Sequence, residues 1–102
     1  MAVRWLQCTV APGIFDTEFM VGIEVPGKGE ITAIFVDKGL VRVEGTPARG
    51  RPVPGFVRVH AREDGSEAVC MLPVQSVEHG YWIRVPGYLV DPASPAEQPA
   101  GR

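Results

Sequence analysis

Hydrophobic and polar residues alternate along most of this chain, and the alternation has a period of two rather than 3.6. Runs rich in Val, Ile and aromatic residues occupy positions 3–10, 18–25, 31–36, 40–44, 56–63, 67–74 and 81–85. Such residues suit a pleated, half-buried surface, so each run predicts a strand. Between them stand "APG", "PGKG", "DKG", "TPARGRPVPG", "DGS" and "QSVEHG", each punctuated by glycine or proline, with Asp64-Gly65 the clearest hairpin signal. No ten-residue segment carries a helical period, which leaves room only for a helical turn around 37–40 and another around 86–89. The pattern predicts an all-β domain of about six strands, a small barrel or sandwich.

Two stretches repeat one another. "ITAIFVDKGLV" (31–41) and "WIRVPGYLV" (82–90) both contain I-x-V-x-x-x-L-V. At the implied offset of 49 residues, Val10 meets Val59, Glu18 meets Glu67, Val25 meets Val74, Ile34 meets Ile83, Val36 meets Val85, Leu40 meets Leu89 and Val41 meets Val90. Average composition gives roughly three identities in such a comparison. The same register sets Val21 against Cys70 and Ile23 against Leu72, so the inward pattern carries over. The chain therefore reads as one domain over 1–90, made of two three-stranded units, about 1–49 and 50–90. A lone three-stranded meander exposes an apolar face, whereas two closed on each other bury both. The competing explanation is chance agreement between strands that choose from few residue types. "VPGYLV" and the strand before it resemble the closing strand and turn of an SH3-like small barrel, a likeness of architecture that carries no function with it. No motif identifies a family. Residues 91–102, "DPASPAEQPAGR", hold three prolines and predict a flexible Pro/Ala-rich tail.

A chain of 102 residues and 11.0 kDa suits one core, with 45% hydrophobic and 22% charged residues excluding global disorder. The net charge of −2 exerts no overall pull toward nucleic acid or an anionic membrane, so any such binding needs a local patch. Gln7 and Thr9 interrupt the first apolar run, and no run approaches the ~18 apolar residues of a membrane span. The expected setting is the cytoplasm, without a membrane partner. Cys8 and Cys70 lie in apolar strands outside any C-x-x-C frame, which predicts two buried reduced thiols.

Strand parity separates the faces. With Leu6, Cys8, Val10, Val57, Val59, Ala61, Ile83 and Val85 turned inward, Trp5, Phe35, Phe56, Arg58, His60, Arg62, Trp82 and Arg84 turn outward. Four large aromatics facing out call for a partner or a second layer of cover. Arg42, Arg49, Arg51, Arg58 and Arg62 cluster with only Glu44 and Glu63 among them, so this region is basic. Asp16, Glu18, Glu24 and Glu30 make the first unit's hairpin acidic, giving a dipole whose halves attract each other across a dimer. The bland alternative is a solvated strand face with cross-strand carboxylate partners.

Catalytic chemistry finds no support. A Cys8–His60 pair would need a thiol on the inner face and an imidazole on the outer face to meet. Ser66 and Ser76 lack a nucleophile-elbow context, and His60 and His79 fit no metal-ligand spacing. "PGKGE" lacks the spacing of a phosphate loop, so no cofactor or metal is expected. The expectation is a non-enzymatic module that binds a protein partner or itself through Trp5, Phe35, Arg49, Arg51, Phe56, Arg58, His60, Arg62, Trp82 and Arg84. Single-stranded nucleic acid, stacked on the aromatics and tracked by the arginines, is the second candidate. A small molecule in a barrel mouth is the third.

Overall fold

A computed structural model of the chain describes residues 1–91. The alternating runs form strands β1 (Ala2–Pro12), β2 (Glu18–Glu24), β3 (Ile31–Asp37), β4 (Val41–Val43), β5 (Val53–Asp64), β6 (Glu67–Ser76), β7 (Gly80–Pro86) and β8 (Val90–Asp91). Short 3-10 turns, Lys38–Leu40 and Gly87–Leu89, precede β4 and β8 at the two sites where helical turns are expected. The strands make one antiparallel sheet in the order β3-β2-β1-β5-β6-β7, curled into a half-barrel, with β4 added to β5 and β8 added to β1.

The alternation explains the curl. One face of the sheet carries Leu6, Val10, Val21, Ile23, Val36, Val57, Val59, Leu72 and Val85, all fully buried, with Cys8 and Cys70 beside them. Burying each such aliphatic chain contributes about 1.5–3 kcal/mol, and a sheet greasy on one face secures that gain by folding over itself.

Both units share one pattern of pairing. Glu18↔Asp37 in β2–β3 becomes Glu67↔Pro86 in β6–β7, and the register stays in step through Gly22↔Ala33 and Met71↔Trp82. The first strand of each unit is out of step by two residues: Gly22 and Met71 stand 49 apart, while their partners Thr9 and His60 stand 51 apart. The slip lies in the hairpins. β5 turns into β6 through Gly65-Ser66, with Gly65 at φ 67, whereas the β1–β2 connection runs from Gly13 to Thr17. Each unit's closing strand is exchanged: β4 of the first pairs Val41 with Val57, and β8 of the second pairs Val90 with Leu6.

Three details differ from the sequence reading. β5 starts at Val53 rather than Phe56, because Val53 and Gly55 are held against Val10 and Cys8 of β1 and Gly55 also meets Val43 of β4. Pro54 donates nothing to this ladder, yet its carbonyl accepts from the Glu44 N–H at 3.1 Å. Leu40, expected in a strand, belongs to the 3-10 turn, where the Asp37 carboxylate accepts the Gly39 N–H at 2.8 Å. Asp91, assigned to the tail, pairs with Trp5 in β8; the rest of the expected tail lies outside the described residues.

Candidate interaction grooves

Curling leaves a split on the open side of each first strand. β5 is paired to β4 at Gly55–Val57 and to β6 from His60 onward, so Arg58 and Val59 fall between two departing neighbours. β6 parts from β5 beyond Met71, where its register with β7 also shifts before Ser76. Ser76, almost fully buried, anchors the irregular end: its hydroxyl donates to the Gly80 carbonyl at 2.8 Å and accepts the His79 N–H at 3.0 Å. The split is a groove of about 430 Å³, lined by Leu40, Arg58, His60, Met71, Leu72, Pro73 and Tyr81.

The first unit has its own split, between β8 and β2 along β1. That groove, of about 390 Å³, is lined by Gln7, Cys8, Thr9, Gly22, Glu24, Pro26, Ile31 and Leu89. Five lining positions of the two grooves correspond in the register of the strands. Gln7 stands where Arg58 stands, Thr9 where His60 stands, Gly22 where Met71 stands, Glu24 where Pro73 stands and Leu89 where Leu40 stands. Both grooves have apolar walls, but at these positions the first carries Gln7, Thr9 and the acidic Glu24 where the second carries Arg58, His60 and Pro73.

Arg58, His60, Arg62, Trp82 and Arg84 are exposed, and a cross-strand row runs Val3, His60, Met71, Trp82 over four strands. Trp82 is 50% exposed on the free edge strand β7. Phe35 is exposed too, but it pairs with Met20 at the opposite end of the sheet path, so it belongs to a separate patch. Trp5 and Phe56 are only half-buried-to-solvent: the Arg42 guanidinium lies 5.2 Å from the Trp5 ring and 5.8 Å from the Phe56 ring. Arg49 sits at the tip of a small turn closed by Ala48 and Arg51, and neither arginine lines a groove. Arg84 donates to Asp64 at 2.6 Å and to Glu67 at 3.3 Å, which raises its own pKa and holds the Asp64 carboxyl below the usual range.

Leu40, Met71, Pro73 and Tyr81 were not singled out from the sequence. Parity with inward Cys70 and Leu72 marks Met71 as outward. Tyr81 shares parity with inward Ile83, and its 48% exposure follows from the slipped end of β6, which no local pattern announces.

Neither groove carries a reactive set. Cys8 edges the first groove, but burial pushes its thiol up to about 12 and the Cys70 thiol up to about 11. Among the described residues no three His, Cys, Asp or Glu side chains gather as metal ligands, and no helix is long and apolar enough to cross a membrane. Compared with known protein families, curated proteins and solved structures, the chain matches none.

Proposed function

We propose that this chain is a non-enzymatic interaction module that takes a protein segment into the groove of its second half. The observation that carries the reading is the contrast between corresponding grooves. Arg58, His60 and Met71 stand where Gln7, Thr9 and Gly22 stand in the first half. A scaffold repeated for stability alone has no need to gather a guanidinium, an imidazole and a flexible thioether in one copy of a groove. Arginine, methionine and aromatic side chains are what interface centres use, since they desolvate well and adapt to a partner's shape. The occupant is an apolar segment flanked by carboxylates, matched to a floor of Leu40 and Leu72, to the charge of Arg58 and to the hydrogen-bonding imidazole of His60.

Duplication of a three-stranded unit within one SH3-like barrel is our account of the shared register, and two free thiols agree with a cytoplasmic setting. Fluorescence anisotropy of labelled acidic-aromatic peptides against lysine-substituted controls tests the binding. Binding of the acidic set alone, lost in Met71→Glu, supports the reading, and equal binding of both sets or of neither refutes it.

Single-stranded nucleic acid is the second reading, favoured by exposed Trp82 on the same face as Arg58 and Arg62. Against it, Arg42 covers the Trp5 and Phe56 rings and two carboxylates engage Arg84, which subtracts from both stacking and phosphate tracking. This reading requires oligonucleotide affinity that falls steeply between about 50 and 200 mM salt.

A further inference from the structure

The halves depart from their shared register in a second place. Where the second unit has the tight Gly65-Ser66 turn, the first has a longer loop that presents Ile14 at 72% and Phe15 at 67% exposure. This loop is built rather than slack: the Glu18 carboxylate accepts the Ile14 and Phe15 N–H groups at 3.2 and 3.4 Å, and the Phe15 carbonyl accepts the Glu18 N–H at 3.2 Å. The result is an apolar knob with Asp16 and Glu18 at its base. Two adjacent large apolar side chains held in solvent, with carboxylates beside them, have the chemistry that the basic groove takes.

A backbone bond ties the knob's loop to the turn that forms one groove wall. The Thr17 carbonyl accepts the Lys38 N–H at 3.0 Å, and the 3-10 turn from Lys38 ends at Leu40 on the groove wall. Yet the knob does not fill its own groove, since both of its apolar side chains are exposed. A knob and a groove carried by the same chain allow a reciprocal exchange about a two-fold axis, which closes without leaving an open end.

We propose that the second half's groove binds the Ile14-Phe15 knob of a second copy, giving a two-fold dimer in which each copy supplies one knob and one groove. Asp16 of one copy then faces Arg58 and His60 of the other. This rests on the reading of the groove as a protein-binding site and names its partner.

Light scattering after size exclusion tests it, at loadings up to about 1 mM, the range of weak specific contacts. The expected mass is twice 11.0 kDa for the native chain and 11.0 kDa for Phe15→Ser and for Met71→Glu. Both changes fall outside the buried core, and an unchanged thermal midpoint identifies a variant that has kept its fold. Mixing the two variants restores one of the two knob-in-groove contacts, so the mixture associates where neither variant does alone. A native chain that stays at 11.0 kDa, or a mixture that stays monomeric, overturns the dimer. If the monomer still binds acidic-aromatic peptides through Met71, only the identity of the partner falls; if those peptides fail as well, the groove reading falls with it.

Discussion

Glu30 and His79 occupy the same position in the two halves of the chain and are bonded to each other, Oε1 to Nε2 at 3.0 Å across a separation of 49 residues. The contact joins the loop after β2 to the loop after β6. Leu6 and Val57 do the same at the β1–β5 seam, where they pair with each other and each also pairs with the valine closing the opposite unit, Val90 or Val41. The short strands β4 and β8 therefore each pair with a long strand from the other half of the chain.

The Glu30–His79 contact is partly solvated, with 48% and 30% of the two side chains exposed, so it contributes little stability. A double-mutant cycle with Glu30→Gln and His79→Ala is expected to give a coupling of about 0.2–1 kcal/mol by urea denaturation. A coupling of several kcal/mol would mean that this contact holds the halves together, contrary to a closure made by the core.

The core pair carries that closure. Leu6→Ala is expected to cost about 2–5 kcal/mol, because the side chain is fully buried at the seam and a cavity there is bounded by both units. Loss should be cooperative, with one denaturant transition for the whole chain. Two separated transitions would show independently folding halves.

Gly55 is the tightest point of the exchanged pairing. A Cβ there would lie 2.5 Å from the Arg42 carbonyl oxygen and 2.7 Å from Val10 Cγ2. Gly55→Ala must push β4 off β5 or shift the core, at about 1–3 kcal/mol, and amide exchange should speed up first at Val41–Val43. Unchanged protection of β4 would argue against its pairing with β5.

The raised thiols have a pH consequence. Their folded values, about 12 for Cys8 and about 11 for Cys70, exceed the ordinary 9.0, so folding favours the neutral thiol. Their contribution is complete below pH 9.0 and is lost as pH rises toward those folded values, where the unfolded chain gains stability by ionising. The Cys8→Ala, Cys70→Ala variant should show a shallower alkaline decline in stability than the native chain. In the native chain both thiols should react slowly with a disulfide reagent at pH 8 until urea is added.

Much of this fold was legible in the sequence because a period of two is a direct record of which face is buried. Leu6, Cys8 and Val10 alternate with Trp5, Gln7 and Thr9, and the sheet curls onto the first set. The two 3-10 turns were legible through the recurrence of I-x-V-x-x-x-L-V, which ends in Leu40-Val41 and in Leu89-Val90. The exchange of β4 and β8 was not, because strand pairing between distant segments leaves no local mark. The grooves were hidden for the same reason: Leu40, Arg58 and Tyr81 come together only through the split between β4 and β6. Arg58, His60 and Arg62 could be assigned to the outer face, but not to opposite fates; Arg58 and His60 line the apolar groove, while Arg62 lines a separate polar cleft with Arg4 and Tyr88.

The most direct measurement is a map of backbone amide shifts in the isotope-labelled chain as an acidic-aromatic peptide is added. Binding in the second half's groove predicts shifts concentrated at Leu40, Arg58, His60, Met71 and Tyr81, with Gln7, Thr9 and Gly22 of the corresponding first groove unmoved. Equal shifts in both grooves, or shifts confined to the Met20–Phe35 patch, would contradict the account.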